Sequence, residues 1–173
     1  MNKWISVMML LLLSSTRGFC ADIGLGVAVK NNENSLYIPV RFSDAYFWEV
    51  KLQMNQYKDQ EEYGYEFKSR ELGFGGFKRQ SLTAEVELYW GARLSYVDNH
   101  SESGDFYVRE ADGYRIAPTL GFEYSIADKF YVAAEAEWFY YHLDGDFKQS
   151  GGTSDIDLRG SGTDARVLLR FYF

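Results

Sequence analysis

Acyl transfer or hydrolysis at neutral pH needs a nucleophile with a positioned base, and few residues of this 173-residue chain could supply one. It has two histidines, His100 and His142. Ser101 follows His100, but adjacent positions of an extended segment point to opposite faces, and no supporting acid stands at a useful spacing. His142 follows Tyr140-Tyr141 at the expected end of a strand, where a polar histidine sits without catalytic duty. Glu135 and Glu137 are close in sequence, yet they belong to one row of an alternating strand and read as salt-bridge partners, not as an acid/base couple. Asp144-Gly145-Asp146 and Asp155-Ile156-Asp157 offer oxygen ligands for a divalent ion, but neither matches a twelve-residue calcium loop, and solvated acids are the simpler reading. The expectation is of no enzyme, no cofactor and no metal.

The elements that would carry these residues are strands. Counting back in twos from the last residue gives Phe173, Phe171, Leu169, Val167 and Ala165, all apolar, against Tyr172, Arg170, Leu168, Arg166 and Asp164. Such a strand meets two solvents. The apolar row suits lipid, the polar row a lumen, and the aromatic end a membrane interface. The same period of two recurs over Ile23 to Lys30, Leu36 to Phe42, Tyr46 to Met54, Thr83 to Tyr96, Tyr114 to Tyr124 and Phe130 to Tyr141. From Thr83 to Tyr96 the apolar row is Ala84, Val86, Leu88, Trp90, Ala92, Leu94 and Tyr96, seven positions without a charge. In Tyr114 to Tyr124, Pro118 removes one ladder bond. A further strand around Glu71 to Phe77 alternates through Leu72 and Phe74 until Gly75-Gly76 breaks the parity, which a β-bulge would explain. The sum is eight, the smallest size usual for bacterial outer-membrane barrels.

At the other end, Lys3 opens a short basic region, Ile5 to Leu13 is apolar apart from Ser6, and Ser14, Ser15, Gly18, Cys20 and Ala21 supply small residues. This pattern predicts a secretory signal over residues 1–20, cut after Cys20 or Ala21, with residues 21–173 as one barrel domain. The apolar run is too short for a spanning helix, which needs about 20 residues. Cys20 is the only cysteine, so a disulfide scaffold is excluded, and Arg17-Gly18-Phe19 lacks the aliphatic and small residues of a lipid-modified cysteine site. Fourteen Tyr, 13 Phe and 16 Gly against 2 Pro fit strands joined by glycine-containing turns. Without Lys3 and Arg17, 16 bases face 25 acids, a formal charge of −9 that speaks against nucleic acid as a partner.

Connections are expected to be short at Ser43-Asp44, Lys78 to Ser81 and Ser125 to Lys129, and long at Asn55 to Ser69, Val97 to Gly113 and His142 to Gly162. Only Asn31 to Ser35 is brief among the second set. Short periplasmic turns and longer extracellular loops are the arrangement of membrane barrels, with both termini on the periplasmic side. The charged residues of the inward rows are Arg41, Lys51, Arg93, Arg115, Arg166 and Arg170 against Glu49, Glu85, Glu87, Glu123, Glu135 and Glu137. A balanced set in a narrow lumen predicts salt bridges that close it, since an eight-stranded barrel has just enough width for side chains. The acidic excess then falls in the long connections, beside Tyr57, Tyr63, Tyr65 and Phe67, which read equally as a contact surface or as an extended aromatic girdle.

The secretory signal, the eight alternating strands, the stretch Pro118-Thr119-Leu120-Gly121-Phe122-Glu123-Tyr124 before a short turn, and the terminal Phe173 together resemble the small outer-membrane β-barrel family of the OmpA transmembrane-domain kind. The resemblance covers the whole chain after the signal. It implies an all-β, up-and-down, transmembrane barrel in the outer membrane of a Gram-negative cell envelope, in contact with lipid and lipopolysaccharide. It also implies a C-terminal signal, Val167, Leu169, Phe171 and Phe173, for the barrel-assembly machinery. Roles within this family include adhesion, envelope stabilisation, narrow pores and lipid A modification. A structural or adhesin-like role through acidic loops is expected, with a narrow or gated pore as the alternative and a lipid A-modifying enzyme after that. A roles-by-domain reading that depends on a peptidoglycan-binding unit after Phe173 is not expected. A lipocalin-like soluble carrier would need the opposite polarity, apolar inside and polar outside.

Overall fold

A computed structural model of the chain describes residues 21–29, 34–59, 64–104, 107–149 and 151–173. The expected secretory segment, residues 1–20, lies outside these, as do Asn31, Asn32, Glu33 and Tyr63. The strands are β1 (Asp22–Val29), β2 (Ser35–Arg41), β3 (Tyr46–Lys58), β4 (Tyr65–Ser81), β5 (Val86–Ser103), β6 (Tyr107–Ala127), β7 (Phe130–Gln149) and β8 (Gly152–Tyr172). Each pairs antiparallel with the next, and β8 pairs with β1 from Val29↔Val167 to Gly24↔Tyr172, which closes the barrel. No helix occurs among the described residues.

Polarity is inside out. Trp138 is 60% exposed and Leu94 59%, whereas Arg93 is 1% and Arg170 0% exposed. On the outer face, Val86 pairs with Tyr124 and, ten residues on, Tyr96 pairs with Tyr114. Ten residues at about 3.3 Å each, tilted by about 40°, make an apolar belt roughly 25 Å tall, the height of a bilayer-facing band.

Three expectations about the chain's course change. The Gly75-Gly76 bulge is absent: β3 and β4 stay in register through Val50↔Phe74, Glu49↔Gly75, Trp48↔Gly76 and Phe47↔Phe77. Glu71, Gly73, Gly75 and Phe77 all face inward, and Phe77 stacks on Phe47 at 4.8 Å, where a bulge would have turned it outward. The turn expected at Lys78 to Ser81 is displaced, because β4 runs through Ser81 and the chain reverses at residues 82–85. Thr83 Oγ1 accepts from the Glu85 and Val86 amides there, a side-chain turn motif that fixes the reversal. The long connections are mostly strand. β5 continues to Ser103, β6 starts at Tyr107, and β7 and β8 pair out to Gln149↔Gly152.

The walls are uneven in height. β1 and β2 have 8 and 7 residues, whereas β6, β7 and β8 have 21, 20 and 21. In the tall part the inward row turns apolar again, with Val97, Ala111 and Leu143 packed beside Tyr141, Ile156 and Leu158. Near the short turns Phe47, Phe77 and Tyr89 form an aromatic cluster, with Tyr89 edge-on to Phe77 at 5.9 Å. Tyr89 lies over Gly121, its register partner, where a Cβ would come within 2.3 Å of the ring. On β1, a Cβ at Gly26 would press on the Arg170 stem at 3.1 Å, so the small inner row of that strand makes room for arginines from its neighbours.

Candidate functional site

Period-two alternation brings one polar residue from nearly every strand to the barrel axis. At the centre, Arg93 of β5 donates to Glu49 of β3 at 2.6 Å and to Glu135 of β7 at 2.8 Å. Arg170 of β8 donates to the same two carboxylates, at 2.6 and 3.0 Å, and to Glu123 of β6 at 2.6 Å. Tyr89 donates to Glu135 at 2.7 Å. Towards the short turns the chain of pairs continues through Arg41 to Glu123 and Glu87, then to Arg79, which donates to Glu87 at 3.0 Å. Towards the long hairpins it runs from Arg93 to Glu137, which also receives Arg115 and Arg166. Arg115 then reaches Glu71 at 3.2 Å, and Glu71 accepts from Lys51 at 2.9 Å. Asp164 meets Arg166 at 3.2 Å.

Eleven of the twelve charged residues expected in the lumen therefore lie in one connected network: Arg41, Glu49, Lys51, Glu87, Arg93, Arg115, Glu123, Glu135, Glu137, Arg166 and Arg170. Glu85 does not belong to it; it is exposed in the 82–85 turn, because β4 extends further than its sequence pattern indicates. The network holds three residues outside the expected lumen set, Glu71, Arg79 and Asp164, the last of which stands in the polar row of the final strand. With them it contains seven acids and seven bases among the described residues, so the network is neutral by pairing. Glu71 was detectable by carrying the inward parity of β4 straight through its glycines.

The outer face above the belt carries charge in ordered rows. Register places Tyr96, Tyr114, His142 and Arg159 side by side across β5 to β8. The next row up is Asp98, Asp112, Asp144 and Asp157, and the one above it His100, Glu110, Asp146 and Asp155. Thus the acids expected in loops stand on strands. Tyr96 donates to Asp112 at 2.8 Å, and Lys148 to Glu110 at 3.0 Å. That hydrogen bond holds the Glu110 carboxyl below its usual range, as the hydrogen bond from Arg159 does for Asp157. His100 faces outward between Glu102 and Glu110 while Ser101 is buried on the inner face, so the two are not a couple. Tyr57 and Tyr65 face each other at 6.2 Å on the paired ends of β3 and β4. Of the C-terminal row, Val167, Phe171 and Phe173 are exposed outward and Leu169 is half-buried; the Phe173 amide donates to Ile23 at 3.0 Å.

No family model matches the chain, and no curated protein matches it in sequence. Among solved structures, the crystal structure of Neisserial surface protein A (NspA) superposes with a TM-score of 0.53 at 17% identity, over 88% of this chain and 94% of that one. The chain shares the fold of NspA. At that identity the likeness to NspA concerns architecture, an eight-stranded barrel. It supports the small outer-membrane barrel fold and does not single out the OmpA kind within it.

Proposed function

We propose that the protein is an integral outer-membrane barrel, without enzymatic activity, that stabilises the envelope and presents a charged surface outside the cell. The inside-out polarity supports the membrane placement, since a roughly 25 Å belt of Leu, Phe, Trp and Tyr rows has no use in water. The observation that carries the structural role is the connected lumen network. A guanidinium or carboxylate withdrawn from it would be left charged and unpaired, so side chains fill the space a conducting path would need. On this reading the short turns are periplasmic and the long hairpins extracellular. The outward row Val167, Leu169, Phe171 and Phe173 is what the barrel-assembly machinery engages, and lipid and lipopolysaccharide surround the belt. An OmpA-like kinship is part of the same proposal, resting on the strand pattern and the terminal Phe173. The outward acid rows would be the contact surface for a partner.

Fractionation of the producing cells tests the membrane placement: recovery with outer-membrane fractions is expected, and recovery in the soluble periplasm would overturn it. In planar bilayers the purified barrel should pass little steady current. A wide, stable conductance unchanged by Arg93→Ala or Glu87→Ala would replace the structural reading with a pore.

A further inference from the structure

We propose that His142, Asp144 and Asp157, on the outer face just above the apolar belt, form a binding site for a borderline divalent metal ion of the Zn²⁺ type. His142 Nε2 stands 3.1 Å from Asp157 Oδ1 and 3.4 Å from Asp144 Oδ1, and all three donor atoms lie within 4.8 Å of one another. Ligands about 2.0–2.1 Å from a tetrahedral zinc are about 3.3 Å apart, so the two histidine-carboxylate edges already have the required length. The Nε2 atom is buried and makes no aligned hydrogen bond, despite the two carboxylates facing it.

The sheet sets this arrangement. His142 and Asp144 are two apart on β7 and share its outward face, while Asp157 of β8 lies directly opposite Asp144. Like charges facing each other across a ladder destabilise it, and here Asp112 continues the same row on the other side of Asp144. A divalent cation between Asp144 and Asp157 removes that repulsion and gives the lone pair of Nε2 a partner. Arg159 donates to both Asp157 oxygens, at 3.0 and 2.6 Å, which keeps the carboxylate ionised and orients it; Oδ1 retains a second lone pair for the metal. The Tyr114 ring packs edge-on against the imidazole at 5.6 Å and fixes its plane. An open groove of about 480 Å³ beside the cluster, lined by Asp144, Asp146, Asp155 and Asp157, leaves the remaining coordination position open to water or an anionic group. Imidazole with carboxylates selects Zn²⁺ and its neighbours over Mg²⁺, which prefers oxygen alone.

The test is Co²⁺ titration of the full, untagged barrel in detergent, followed by visible d–d absorption and Zn²⁺ displacement. One Co²⁺ per chain, released by Zn²⁺, is expected. Affinity should fall at least about tenfold in His142→Ala and in Asp144→Asn, and remain unchanged in Glu102→Gln. Heat-modifiable gel mobility shows that each variant is folded. Absence of a stoichiometric Co²⁺ band overturns the proposal, and so does binding that survives His142→Ala. Uptake of Ca²⁺ or Mg²⁺ alone would reassign the acids to a diffuse patch for hard ions and equally overturn it.

Discussion

Glu71 and Glu85 carry the same side chain at opposite fates. Glu71 is buried between Lys51 and Arg115, whereas Glu85 stands in water at the tip of a turn. Removing one partner of a buried ion network leaves an uncompensated charge, at about 3–5 kcal/mol, while a solvated turn residue changes little. Glu71→Gln should therefore lower the unfolding free energy in urea by about 3–5 kcal/mol, and Glu85→Gln by less than about 0.5 kcal/mol. Equal effects would place Glu85 in the lumen after all. Sequence parity identified eleven lumen charges because each lies in a strand whose apolar row runs unbroken. It missed Glu71 because the outward position at Gly76 has no side chain to mark the face, and Arg79 because a strand end carries no apolar signal.

The strands were legible only as far as the apolar outward rows reach. Above Tyr96 and Tyr114 the outward row becomes Asp98 and Asp112, apolar residues such as Val97 and Ala111 move to the inward row, and the outward apolar row ends although backbone pairing continues to Ser103↔Tyr107. Such extensions are held by cross-strand pairs, among them Lys148 to Glu110 on β7 and β6. Because the folded-state value of Glu110 is depressed, the stabilisation from this pair is present above the ordinary carboxylate value of 4.5. It is lost as pH falls through the lower folded value. A carbon-detected NMR titration should find the Glu110 midpoint below 4.5, returning towards it in Lys148→Met. A midpoint unaffected by Lys148→Met would remove this pair from the account of how β6 and β7 stay joined.

For the molecule as a whole, the proposed membrane placement makes one surface satisfy two solvents, and the boundary between its apolar and charged rows is sharp. Leu120 lies in the middle of the belt and Tyr96 at its upper edge, one beside the aspartate row. Arginine on a lipid-facing position is depth-dependent, about 2–4 kcal/mol at the midplane and about 0–1 near an interface. Leu120→Arg should thus destabilise the barrel in vesicles by about 2–4 kcal/mol and Tyr96→Arg by no more than about 1 kcal/mol. Two equal, small values would mean that neither position faces hydrocarbon.

The unequal strand lengths give the cylinder a front and a back. Seen end-on from the long-hairpin side, the rim is a scoop, with β5 to β8 as its raised back and the short β1 and β2 as its lip. A bulky visitor reaches the concave side of the back only over that lip, whereas the aspartate rows on the convex side meet neighbouring molecules laterally. Rotation about the barrel axis consequently changes what the protein offers to each direction, and a uniform tube would not have that property.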